Sequence, residues 1–148
     1  MSRNADWARR DLAVLWHPCT QMKDHEAWPP IPIESAEGVW LQDFEGKRYL
    51  DAISSWWVNL FGHGHPDLNA AIKHQIERLD HVLLAGFTHE PVIRLSEALI
   101  HVAPEGLNRC FYADNGSSAI EVALKMSHHA WRNQGHSEKA LFVTLENS

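Results

Sequence analysis

Cysteine is scarce in this sequence: 148 residues hold only Cys19 and Cys110, far apart in the chain. The N-terminus mixes acidic and basic residues where a secretory signal needs a long apolar run, so a reducing, cytoplasmic setting is expected. No apolar stretch approaches the ~20 residues that span a bilayer. Clusters of lysine and arginine are also missing, and the net charge is −6. Nucleic acid and anionic membrane surfaces are therefore excluded as partners, since both require a positive patch. Neither GxxxxGK[ST] nor GxGxxG occurs, which removes Walker-type and dinucleotide loops. HExxH and CxxC are absent too. The 11 histidines thus lack a metal-binding frame: His63 and His65 form the nearest ligand pair, and His128 and His129 point to different helix faces.

What remains is an ordinary globular composition, 45% hydrophobic and 22% charged, in the length range of one domain. Its most informative stretch is YADNGSSAIEVALKM, Tyr112 to Met126. Cys110 to Tyr112 suit a short buried strand, Asp114 to Gly116 a turn, and from Ser117 the apolar residues fall at helical spacing. Ala119, Val122, Ala123, Met126 and Ala130 share one face, with Glu121 and Lys125 as an i, i+4 pair on another. A helix beginning this way has unpaired N–H groups and a positive dipole end. Gly116, without Cβ, allows close approach to the backbone, and Ser117 and Ser118 add hydroxyl donors. A phosphate dianion suits that arrangement. Simple capping by Asn, Gly and Ser is the competing explanation, and local pattern alone favours it.

The rest of the chain reads in order. Asn4 to Trp16 suits an amphipathic helix, stopped by His17 and Pro18. Cys19 to Ile33, with Pro29, Pro30 and Pro32, is expected to run as an extended surface or cleft-lining segment. Val39 to Asp43 and Lys47 to Asp51 read as a hairpin with Gly46 in its turn, which brings Trp40 near Tyr49. Ser54 to Pro66, SSWWVNLFGHGHP, leads into a helix with Pro66 in its first turn. If the backbone there is extended, Trp56 and Trp57 face different environments, Trp57 packing internally; two core aromatics are the competing explanation. A further helix is expected from about His89 to His101. Lys139 to Leu145 reads as a strand, so the order from Arg109 onward implies a βαβ unit and an α/β fold.

Taken together, LWHPCTQMKDHE (Leu15 to Glu26), GVWLQDFEGKRYLDAISSWW (Gly38 to Trp57), GHGHP (Gly62 to Pro66) and YADNGSSAIEVALKM resemble the class III, fold type I pyridoxal-phosphate aminotransferases. The WHP segment followed by SSWW is most similar to the branch of that family that acts in biotin biosynthesis. The resemblance covers nearly the whole chain but only the N-terminal third of the family's length. It implies that residues 1–61 form an N-terminal segment and hairpin of the small domain, and that residues 62–148 begin the large cofactor domain. It implies pyridoxal 5'-phosphate as cofactor, with Gly116 and Ser117 on its phosphate and Trp56 in the substrate pocket. Cys19 stands where the family often has a tyrosine that shapes the pocket for the keto acid and the donor's adenine. The implied reaction passes an amino group, from a donor such as S-adenosylmethionine, to 7-keto-8-aminopelargonate, in a homodimer.

The resemblance also places the cofactor-linked lysine beyond residue 148. The five lysines present, Lys23, Lys47, Lys73, Lys125 and Lys139, lie in polar or charged settings, whereas a cofactor-linked amine needs a desolvated one. No catalytic residue is expected within these 148 residues, and the chain alone is expected to be inactive. The alternatives are a part of another class III aminotransferase, a noncatalytic module that binds a phosphate ligand, or a piece of a broken gene.

Overall fold

The computed structural model describes residues 1–146, and the chain divides into two compact units, residues 1–81 and 82–148. In the first unit, α1 (Arg3–Leu12) is capped by Ser2, whose hydroxyl accepts the Ala5 N–H. The helix ends earlier than its apolar spacing predicts. Leu15 and Trp16 lie outside it, in a turn that lets His17 Nε2 meet Asp11 Oδ2 at 2.5 Å. The Pro-rich segment that follows is irregular as expected, apart from one 3-10 turn at Met22–Glu26.

Three short strands form an antiparallel sheet in the order β1-β2-β3: β1 (Ile33–Glu37), β2 (Trp40–Asp43) and β3 (Arg48–Leu50). The hairpin is where the alternation and Gly46 place it, and Gly46 has φ +84°. Strand β1 is an addition that its sequence, IESAE, hardly signals, because it holds one β-branched residue. The register pairs Leu41 with Tyr49 and Trp40 with Leu50. Trp40 and Tyr49 therefore lie on opposite faces, contrary to expectation, since side chains alternate along a strand. Trp40 instead lies under the Arg48 guanidinium, 4.7 Å from the ring centroid.

On the Tyr49 face sits Asp43, which is 1% exposed. Its Oδ1 accepts the N–H groups of Glu45 and Lys47, each at 2.9 Å, and its Oδ2 accepts the Tyr49 hydroxyl at 2.9 Å. Burial pushes this carboxyl up, but the Tyr49 hydroxyl and the two amides outweigh burial and hold it below the usual carboxylate range. The turn it fixes is also where α1 docks. Trp7 stacks on Phe44 at 5.6 Å, and Arg3 binds both the Phe44 carbonyl and Glu34.

Helix α3 (Pro66–Arg78) starts at the predicted proline. In the second unit α4 (Glu90–Val102) and α5 (Gly116–Asn133) match the helices read from spacing. The βαβ unit does not form: among the described residues neither 110–112 nor 139–145 is a strand. The physical reason is pairing. A parallel strand is held by hydrogen bonds to neighbours, and no described strand of this unit supplies them, so Phe111, Leu141 and Val143 stand exposed. The apolar face of α5 is exposed as well, and Glu121 and Lys125 make no ion pair among the described residues.

Candidate functional site

The start of α5 is built as a donor cluster. Asn115 caps the helix, its side-chain oxygen accepting the Ser118 N–H at 2.9 Å, and its carbonyl takes the Ala119 N–H at 3.0 Å. Those two bonds leave the Gly116 and Ser117 N–H groups without a partner in the described chain, both at the positive end of an 18-residue helix. Space over Gly116 is open, since a Cβ there would have no heavy atom within 4 Å. Nothing among the described residues calls for glycine at this position. A phosphate fits this cradle: two free N–H groups, the Ser117 hydroxyl and room for close approach. Ser118 is engaged elsewhere. Its hydroxyl, with the backbone N–H of Asp114, holds the Asp114 carboxyl below the ordinary carboxylate range. Of the two hydroxyl donors expected from the sequence, Ser117 and Ser118, only Ser117 is therefore left to the cradle.

The first unit holds Cys19 and Trp56, which the structure does not bring together. Cys19 lines an open cleft of about 800 Å³ with Trp16, His17, Thr20, His25 and Trp28. The His17 and His25 rings meet edge to face at 5.1 Å, and His25 Nδ1 lies 3.1 Å from the Trp28 carbonyl. Cys19 has φ +55°, so the chain bends sharply at that position.

Trp56 belongs to a different feature, the single turn α2 (Ser54–Trp57). It is wound left-handed: φ is +50° at Ser54, +46° at Ser55, +67° at Trp56 and +69° at Trp57. Four consecutive non-glycine residues in that region cost on the order of 1–2 kcal/mol each, so something must hold them. Backbone bonds from Trp57 N–H to the Ile53 carbonyl and from Val58 N–H to the Ser54 carbonyl close the turn, and the side chain that holds it is Asp51, 5% exposed. Its Oδ1 accepts the Ser55 N–H at 2.8 Å, while its Oδ2 accepts the Ser55 hydroxyl at 2.7 Å and His63 Nε2–H at 2.8 Å. The Ser55 N–H, then His63 and the Ser55 hydroxyl, pull the Asp51 carboxyl down to about 2.

His63 is fixed in turn by a two-way backbone bridge to Gly38 at 2.8 and 2.9 Å. The bridge brings Gly62 so close that a Cβ there would lie 3.0 Å from the Gly38 carbonyl oxygen. Glycine is therefore required at 62. His63 thus serves the turn, and His65 Nδ1 is buried without a partner. Both tryptophans of the turn face outward. Trp56 is 58% and Trp57 79% exposed, which corrects the expectation that Trp57 packs internally. The premise failed because the backbone is wound rather than extended.

Residues 21–148 match the family model described as aminotransferase class III. This chain belongs to the class III aminotransferases. It is 50% identical to the adenosylmethionine-8-amino-7-oxononanoate aminotransferase of Helicobacter pylori, over 100% of this chain and 34% of that protein. The enzyme of the same name from Aquifex aeolicus is 43% identical, over 91% of this chain and 30% of its own length. Among solved structures, the Methanocaldococcus jannaschii adenosylmethionine-8-amino-7-oxononanoate aminotransferase superposes with a TM-score of 0.82 at 37% identity, covering 88% of this chain and 30% of that one. An omega transaminase from Pseudomonas jessenii in complex with PMP gives 0.78 at 29% identity, covering 91% and 29%. This class III aminotransferase chain thus spans about a third of the length of the relatives it matches, and its fold is that of part of a fold type I transferase.

No cluster of three or more histidine, cysteine, aspartate or glutamate side chains suited to a metal occurs among the described residues. Among the described residues of this class III chain, no helix is long and apolar enough to cross a membrane. The Asp51 hub escaped the sequence reading because its members lie 12 positions apart. The signal that points to it is an Asp three residues ahead of SSWW together with the first His of GHGHP.

Proposed function

We propose that this chain is the N-terminal part of an adenosylmethionine-8-amino-7-oxononanoate aminotransferase of biotin biosynthesis. The complete enzyme transfers an amino group from S-adenosylmethionine to 7-keto-8-aminopelargonate, giving 7,8-diaminopelargonate. One observation carries the reading. Relatives bearing that enzyme name are 37–50% identical over 80–100% of the chain, whereas the omega transaminases of matching fold are 28–31% identical.

Pyridoxal phosphate, when bound, supplies the electron sink for moving an amino group. On this reading Gly116 and Ser117 bind its phosphate, their N–H groups and the Ser117 hydroxyl offering donors to the dianion. Trp56 presents its indole to the keto-acid acceptor, and the Cys19 cleft faces the amino donor. Residues 1–61 belong to the small domain and residues 62–148 open the large one. The whole protein works as a cytoplasmic homodimer.

None of the five lysines is desolvated: all are exposed, Lys139 lying over the Trp131 ring and Lys47 over Tyr49. No catalytic residue is therefore assigned within this chain. The 148 residues alone do not transaminate. The test is growth without biotin of a bacterium deleted for its own diaminopelargonate-forming enzyme. The whole protein containing this chain restores growth, and the 148-residue chain does not. Failure of the whole protein, expressed and folded, contradicts the proposal.

A further inference from the structure

We infer that Asp51 is a positioning residue for substrate recognition: it holds α2 in its left-handed winding and so sets the direction of the Trp56 indole. The inference rests on the reading above in which Trp56 lines the acceptor pocket. It goes beyond that reading by assigning the pocket's geometry to a carboxylate that touches neither substrate nor cofactor.

Three bonds converge on Asp51, two from Ser55 at the centre of the turn and one from His63. Both ends of this linkage are anchored in the sheet region. The Asp51 N–H donates to the Val39 carbonyl at 2.9 Å, and His63 is bridged to Gly38. Asp51 thus ties a strained turn to a fixed frame, with Trp56 the residue directly after its bonded partner. The tryptophans themselves do little to hold the turn, since both indoles are largely exposed. Winding that four non-glycine residues disfavour is therefore imposed by the hydrogen bonds, and removing them frees Trp56 to turn away. A carboxylate suits the role. It accepts at both oxygens, whereas an amide offers one accepting oxygen and two N–H groups that cannot accept.

The test uses the whole holoenzyme containing this chain and a cycle of Asp51→Asn, Trp56→Ala and the double variant. Expected are a KM for 7-keto-8-aminopelargonate raised about tenfold by D51N, a cofactor affinity unchanged within about twofold, and no further rise when D51N is added to W56A. A rise of equal size in both backgrounds, or none in either, overturns the positioning role while leaving the Trp56 reading intact. An unchanged KM in W56A instead overturns the Trp56 reading, and the inference with it. Where D51N does not fold, Ser55→Ala removes the 2.7 Å hydroxyl bond and keeps the carboxylate. It is expected to raise the same KM by a smaller factor, again only in the Trp56 background, and no change overturns the inference.

Discussion

Asp51 and His63, 12 residues apart, meet through a 2.8 Å bond between Oδ2 and Nε2 that joins the left-handed turn to the segment entering α3. The Asp51 carboxyl titrates at about 2 in the folded chain, below the ~3.9 of an unfolded aspartate. A depressed carboxyl stabilises the fold above its unfolded value and loses that contribution as pH falls towards its folded value. Stability measured by urea is therefore expected to drop between about pH 4 and pH 2. Asp43 shifts in the same direction and adds to the drop. In Asp51→Asn the protein is weaker at pH 6, and its deficit relative to the parent narrows towards pH 2. A deficit independent of pH contradicts the assignment.

Gly116→Val is a suitable probe of the phosphate cradle, because a Cβ at this position meets no heavy atom of the described residues within 4 Å. The whole protein should lose at least about tenfold in pyridoxal-phosphate affinity, ~1.4 kcal/mol, with its melting temperature nearly unchanged. Ser96 is unsuitable as a control, since its hydroxyl bonds Tyr112 at 2.8 Å just ahead of the cradle. Glu97→Gln on α4 is the better one and leaves affinity alone. Spectral titration of the cofactor distinguishes the two.

At Trp57 the winding itself makes a prediction. With the indole exposed, Trp57→Ala costs the chain little stability, within about 0.5 kcal/mol. Trp57→Gly exceeds Trp57→Ala by about 1 kcal/mol, because glycine adopts φ +69° freely. Equal stabilities in urea would mean the turn is not wound left-handed in solution.

Much of the fold was legible where local chemistry decides it. Gly46 between two alternating runs marked the hairpin, Pro66 and Asn115 marked helix starts, and the apolar spacing of α4 sufficed. Features that depend on distant partners were not. The strands expected at 110–112 and 139–145 require neighbours that the described chain lacks. The turn at Ser54–Trp57 has no glycine to announce its positive φ, because Asp51 and His63 enforce it from outside. Of the candidate site residues, Gly116 and Ser117 were readable because a helix start is a local event. The surroundings of Trp56 depended on a hub that spacing does not reveal.

The product of the reaction tests the central claim most directly. Purified whole protein containing this chain, given pyridoxal phosphate, 7-keto-8-aminopelargonate and S-adenosylmethionine, is assayed for 7,8-diaminopelargonate by mass spectrometry. The account predicts product that depends on both substrates, with none from the 148-residue chain alone. Turnover of simple amines and ketones without any diaminopelargonate would contradict it and mark the protein as a class III transaminase of another specificity.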